Sequence, residues 1–289
     1  MNLPEKEIEI YIENFKNANI KPFTNGDNVK EYIEYFDYQF SQCFKNGFIP
    51  YISQQHELFD SFYRFRKLKE IKDFDNYLEY SYPKPEDCSR IMRANLPGFP
   101  VFYCSYHPTT AILEMEKWND NETRYVVSKW IKRNKQYKFS HLPTYPDRTE
   151  FSDILKQTVY NRVIEKESNK NGLIKFLCFL GNEIINDDDY SVSACLSYKY
   201  IYENNFDIIS YPSCIDLMGI NFAISPGIVD RELILDKVYI VEIGKQRKIT
   251  VFNIGVFIEN KNVKWHIATE LEKDDDNLIT FFKDFSAEM

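Results

Sequence analysis

Two glutamates, Glu114 and Glu116, stand in the stretch LPGFPVFYCSYHPTTAILEME (96–116) among residues that otherwise build a core. A carboxylate in such a setting can hold a developing positive charge or fix a hydroxyl group. On a helical wheel from Ala111 to Trp118 the apolar face centres near Met115, and both glutamates flank it. Periodicity leaves the choice between them open, and a solvated edge is the commonest place for such a side chain. Arginines form a second group. In SFYRFRKL, Arg64 and Arg66 fall on one strand face with Phe62, while Tyr63 and Phe65 fall on the other. Arg90 and Arg93 follow in CSRIMRAN. These arginines read either as a solvated face or as a local basic pocket for a phosphate-bearing small molecule.

The elements that must position these groups follow from periodicity. Residues 4–20 and 27–47 are expected to form two amphipathic helices around the turn FTNGDN. Strands are expected at 61–68, 99–105, 123–131 and 206–213, and then in GINFAIS, KVYIVEIG, KITVFNIGVFI and VKWHIATEL. Pro108 opens the helix that carries the acids, and three further helices are expected over 150–168, 171–186 and 189–204. The class is α+β, with helices inserted between early and late strands. The expected division is an N-terminal helical appendage over 1–58 and a catalytic domain over 59–289.

A net charge of −8 argues against broad nucleic-acid binding, which needs a basic footprint. No stretch of about 18 apolar residues predicts a membrane span, and the N-terminus lacks the pattern of a signal peptide. The six cysteines contain no CxxC and the four histidines no HxxxH, so reduced thiols, a cytoplasmic setting and no metal site are expected.

In combination the motifs are more specific. Tyr63-Arg64 lies on a strand; Arg93-Ala94-Asn95-Leu96-Pro97-Gly98-Phe99-Pro100-Val101-Phe102-Tyr103 follows. Then come Thr110-Ala111-Ile112-Leu113-Glu114 and Ile208-Ile209-Ser210-Tyr211-Pro212-Ser213, with Gly219 and Asn221 behind them. In that order they resemble the RES domain family, named for its Arg, Glu and Ser, over roughly 60–250. The TAxxE spacing of the resemblance selects Glu114 and leaves Glu116 outside. A helical insert, about 145–205, is long, and the N-terminal helices lie outside the resemblance.

The resemblance implies a fold similar to ADP-ribosyltransferases and an enzyme that consumes NAD⁺ as substrate, with no prosthetic group. Many relatives are toxins neutralised by a small antitoxin or immunity protein. On that reading Glu114 stabilises the ribosyl cation as nicotinamide leaves, Arg64 and Arg93 clamp the pyrophosphate or an attacking phosphate, Tyr103 stacks on nicotinamide, and Ser213 donates to a ribose or phosphate oxygen. Tyr63, Asn95 and Asn221 complete the expected binding set. NAD⁺ glycohydrolysis or phosphorolysis leads. ADP-ribosyl transfer to a protein target and a non-catalytic NAD⁺-sensing or partner-binding module are the alternatives. The first 55 residues are expected to pack on the domain as a brace or gate, or to mediate a homodimer.

Overall fold

The computed structural model describes residues 5–44, 54–56, 60–116, 124–144, 170–186, 189–213, 215–216, 219–244, 249–258 and 262–269. The helix expected over 150–168 lies outside them.

Helices α1 (Glu5–Lys16) and α2 (Val29–Cys43) form where the apolar stripe predicts. Asn28 caps α2, its side chain accepting the Lys30 and Glu31 backbone N–H groups at 3.0 and 3.3 Å. Tyr32, Phe36, Phe40 and Cys43 recur at helical spacing and are buried. Further on come α3 (Pro108–Glu116), α4 (Lys170–Asn186), α5 (Ser191–Tyr198, continued as one π-helical turn over Lys199–Glu203) and α6 (Pro226–Glu232).

The strands are β1 (Gln54–His56), β2 (Ser61–Lys67), β3 (Phe102–Ser105), β4 (Arg124–Lys132), β5 (Phe139–Pro143), β6 (Ile208–Pro212), β7 (Ile220–Ile224), β8 (Leu233–Ile243), β9 (Ile249–Ile258) and β10 (Asn262–Ile267). Among the described residues they form one sheet in the order β1-β5-β6-β7-β3-β2-β4-β8-β9-β10. Among the described strands only β5 and β6 pair in parallel. The chain is thus a mixed sheet with helices packed on it, as the α+β reading expects. Sequence periodicity did not disclose β5, a short strand ending at a proline. Nor did it disclose α6, whose Ser-Pro-Gly start reads equally well as the end of a strand.

Alternation along the strands divides the interior. Phe62, Phe102, Trp130, Phe222 and Ile224 build one core together with Ile228 and Val229 of α6. The opposite face carries two separate cores. One joins Ile209, Tyr211 and Ala223 to α1, α2, α4 and α5, with Phe15 meeting Phe36, Phe40, Phe44 and Phe179 ring to ring. The other joins Phe65, Val127, Tyr239 and Val241 to Ala111 and Ile112 of α3. The two N-terminal helices therefore share one continuous core with the inserted helices. Lys175 of α4 pairs with Glu5 and Glu9, and Lys199 with Asp37.

Between β2 and β3 the ladder is nearly open. A single register pair, Tyr63 opposite Ser105, joins them. The candidate site lies at this seam.

Candidate functional site

A cavity of about 550 Å³ lies at the seam, within the range of small-molecule sites. Tyr63, Arg64 and Phe65 of β2, Tyr103, Cys104 and Ser105 of β3, Ala111 and Glu114 of α3, and Asn221 of β7 line it. The loop residues Arg90 and Arg93, with Tyr190 and Tyr211, close the other side.

Glu114 is held through one oxygen. Pro108 starts α3, Ala111 and Ile112 anchor it in the core, and Glu114 follows one turn beyond Thr110. Glu114 Oε1 accepts the Ser213 hydroxyl at 2.6 Å and the Asn221 amide at 2.8 Å. Both donors are themselves oriented. Ser213 Oγ accepts the backbone N–H groups of Ile215 and Asp216 at 3.1 and 3.0 Å, which directs its proton to Glu114. Asn221 Oδ1 accepts the Ser105 hydroxyl at 2.6 Å, which turns its NH₂ toward the carboxylate. Among the described residues Oε2 makes no hydrogen bond. The helix that carries Glu114 is tied to the same loop, since Thr110 Oγ1 donates to Asp216 Oδ2 at 2.6 Å. Gly219 closes that loop, and a Cβ there would sit 2.5 Å from both Thr110 Cγ2 and Thr110 Oγ1.

Arg64 and Arg66 part company. Arg66 donates to the Glu79 carbonyl and pairs with Glu70 and Glu79 at 3.7 and 3.6 Å. Arg64 lies over the Phe102 ring, 5.5 Å from its centroid. Its Nε and Nη1 are sealed from solvent and have no hydrogen-bond partner among the described residues. The pair is therefore not a solvated face. Burial, and then the neighbouring Arg66 charge, lower the Arg64 pKa to about 10, so the guanidinium remains charged at neutral pH. Sealed guanidinium donors left unmet are costly unless an acceptor meets them.

The loop before β3 is organised by Asn95. Its amide donates to Cys88 Sγ at 3.1 Å, to the Arg90 carbonyl at 3.1 Å and to the Leu96 carbonyl at 3.2 Å. Its Oδ1 accepts the Tyr103 hydroxyl at 2.9 Å, and the Tyr103 oxygen in turn accepts the Ala94 N–H at 2.7 Å. Gly98, at φ +82°, makes the left-handed turn the loop requires. The result presents Arg93 at the cavity, with its guanidinium 5.2 Å from the Tyr190 ring centroid and Nη1 donating to the Ile184 carbonyl. Burial pushes the Tyr103 and Tyr211 hydroxyls above their ordinary pKa, so both stay protonated.

Tyr63, Arg64, Arg93, Tyr103, Glu114 and Asn221 of the expected set all line the cavity. Ser213 reaches it through Glu114. Asn95 stands behind Tyr103 and shapes the loop. Sequence reasoning did not single out Ser105 or Tyr190 for this site, nor Thr110 as the tie to Asp216. Ser105 had one available signal, since it is two residues beyond Tyr103 and shares its strand face. The side chain of Glu116 lies outside the described residues. Among the described residues no group of three or more His, Cys, Asp or Glu side chains could hold a metal ion. None of the described helices is long and apolar enough to cross a membrane. Cys43, Cys88, Cys104 and Cys195 are buried thiols.

No curated protein matches the sequence. Among solved structures, the chain is similar to one in the crystal structure of the M. tuberculosis MbcT–MbcA toxin–antitoxin complex, at 12% identity and a TM-score of 0.40. That match covers 65% of this chain and 87% of the other. Residues 63–233 match the RES domain, a span that contains Arg64, the anchored glutamate and the serine that holds it, and the chain belongs to the RES domain family.

Proposed function

We propose that the protein consumes NAD⁺ by cleaving its nicotinamide–ribose bond, and that it acts in the cytoplasm as a toxin or defence effector restrained by a small antitoxin or immunity protein. The observation that carries this reading is one shared cavity. It holds a carboxylate fixed through a single oxygen, and beside it the half-buried Arg64, whose sealed Nε and Nη1 are unmet among the described residues.

NAD⁺ presents a diphosphate and a cationic leaving group, and this cavity suits both. Arg64, Arg90 and Arg93 supply guanidinium forks for the diphosphate. The tyrosine walls supply flat faces for the rings, including the cationic nicotinamide. When the C1′–N bond breaks, its electron pair goes to the nicotinamide nitrogen and cancels the ring charge, so no strong general acid is required. The ribose is left with oxocarbenium character, as in glycoside hydrolysis. Glu114 is preorganised to stabilise that charge, because Ser213 and Asn221 fix its orientation before substrate arrives. Water or inorganic phosphate then attacks C1′ and releases its proton to solvent.

The test is incubation with NAD⁺ with and without phosphate, following nicotinamide release and the adenine-containing product. ADP-ribose in both conditions indicates hydrolysis; ADP-ribose-1″-phosphate formed only with phosphate indicates phosphorolysis. NAD⁺ that remains intact over long incubation at high protein concentration removes the enzymatic reading.

A further inference from the structure

We propose that Tyr211 is a substrate-contacting residue that sets specificity: its hydroxyl donates to a ribose hydroxyl, which in turn donates to the open oxygen of Glu114. The proposal deepens the reading above and rests on it in taking that sugar to be the nicotinamide ribose, recognised at its 2′-hydroxyl.

The placement follows from strand register. Tyr211 of β6 lies opposite Asn221 of β7, Asn221 opposite Ser105 of β3, and Ser105 opposite Tyr63 of β2. Residues directly opposite one another in antiparallel strands project to the same face, with Cβ atoms about 5 Å apart. These residues therefore form one row across the sheet, and every member of it lines the cavity. Alternation adds Ser213, two residues beyond Tyr211. Its N–H donates to the Gly219 carbonyl at 3.0 Å, which prolongs the pairing of β6 with β7. The two donors that grip Glu114 Oε1 thus flank Tyr211: Ser213 along its own strand, and Asn221 directly across. Tyr63 ends the row three strands away.

The Tyr211 hydroxyl is uncommitted where its neighbours are not. Ser213 donates to Glu114, Ser105 to Asn221, Thr110 to Asp216 and Tyr103 to Asn95. Tyr211 is 5% exposed and its ring belongs to the core shared with the N-terminal helices. Its oxygen nevertheless makes no hydrogen bond among the described residues. Burial above all holds the phenol protonated, and the neighbouring Tyr103 and Glu114 add to that effect, so at neutral pH it is a donor. A phenylalanine would fill the same core space without leaving a polar group to satisfy. Glu114 Oε2 is the complementary case, an acceptor that no described residue meets. A sugar hydroxyl both donates and accepts, so one group satisfies both: it gives its proton to Oε2 and accepts that of Tyr211. The 2′-hydroxyl is the one adjacent to C1′, the carbon whose developing charge Glu114 faces.

The test is a cycle on the full chain. The parent protein and Tyr211→Phe are each titrated by calorimetry with ADP-ribose and with the analogue that lacks the 2″-hydroxyl on its terminal ribose, beside NAD⁺ turnover and thermal melting. Using both ligands on both proteins cancels any intrinsic difference between the sugars. Tyr211→Phe is expected to melt no lower. It should bind ADP-ribose about fivefold to tenfold more weakly and bind the deoxy analogue as the parent does, so that its preference between the two shrinks by that factor. An equal change on both ligands, or a change on neither, overturns the proposal. Absence of ADP-ribose binding by the parent protein overturns it as well, and so does a Phe variant that melts lower, which would assign the hydroxyl to the fold. The two readings separate. Binding of ADP-ribose that depends on both hydroxyls, without NAD⁺ consumption, removes the proposed reaction and leaves the Tyr211 contact. NAD⁺ consumption with an equal change on both ligands removes the contact and leaves the reaction.

Discussion

Ser213 and Glu114 are 99 residues apart in the chain, and their side chains meet at 2.6 Å. The serine hydroxyl donates to the same carboxylate oxygen that takes the Asn221 amide. Glu114→Gln preserves an oxygen able to accept both bonds and removes the charge. It should leave the fold intact and lower NAD⁺ cleavage on the order of 10²–10³-fold. Glu116→Gln, two residues beyond the matching position and at the last position of α3, should do far less. Steady-state turnover and thermal melting of both variants check this. Loss of activity in the Glu116 variant alone would mean that the register is misassigned.

Arg64→Lys should be severe, because lysine keeps the charge but loses the fork. Arg66→Lys should be mild, since Arg66 is partly exposed and serves Glu70 and Glu79, and exposed ion pairs contribute about 0–1 kcal/mol. Equal losses at both positions in pyrophosphate affinity would show that the strand, rather than the fork, is what matters.

Alkaline pH offers a second view of Arg64. Its pKa is lowered to about 10 by burial, so substrate affinity should fall as the pH climbs through that value. The sign for stability is opposite. Above about 10 the folded state gives up this proton before the unfolded state does, so the Arg64 contribution to stability rises there with pH. A rise in KM across this window, without a matching fall in melting temperature attributable to Arg64, is the expected result. A KM independent of pH through 10 would show that Arg64 keeps its proton across this window.

Gly219→Ala places a Cβ 2.5 Å from Thr110 and 2.7 Å from Asp216 Oδ2, which forces apart the bond that ties α3 to the β6–β7 loop. Overpacking of this kind costs roughly 1–3 kcal/mol. Chemical denaturation should show that loss, and turnover should fall with it because α3 carries Glu114. Full activity in a destabilised variant would show that the loop supports the fold without setting the carboxylate.

The N-terminal helices should behave as part of the core. Phe15 is 4% exposed and touches Phe36, Phe40, Phe44 and Phe179. Phe15→Ala should therefore cost about 3–5 kcal/mol by denaturation. Removal of residues 1–55 should give an insoluble product. A soluble, monomeric and more active truncation would instead establish the segment as a gate.

Local patterning determined a good part of this protein. Alternation placed Arg64 with Phe62 and separated both from Tyr63 and Phe65. Helical spacing set the stripe of α2, Pro108 started α3, and the TAxxE resemblance chose Glu114 where the helical wheel could not. Tertiary structure decided what those residues became. Whether Arg64 or Arg66 is neutralised depends on Glu79, which a separate turn delivers. Asn95 turned inward to hold its own loop because Tyr103, on the next strand, offers the hydroxyl that completes its bonds. Tyr190 entered the wall through a left-handed backbone that its own sequence does not favour. The cavity itself is a gap between two cores on one sheet face, opened where β2 and β3 share a single register pair. Such a gap arises from how distant strands fail to close on one another, and no local window of residues encodes it.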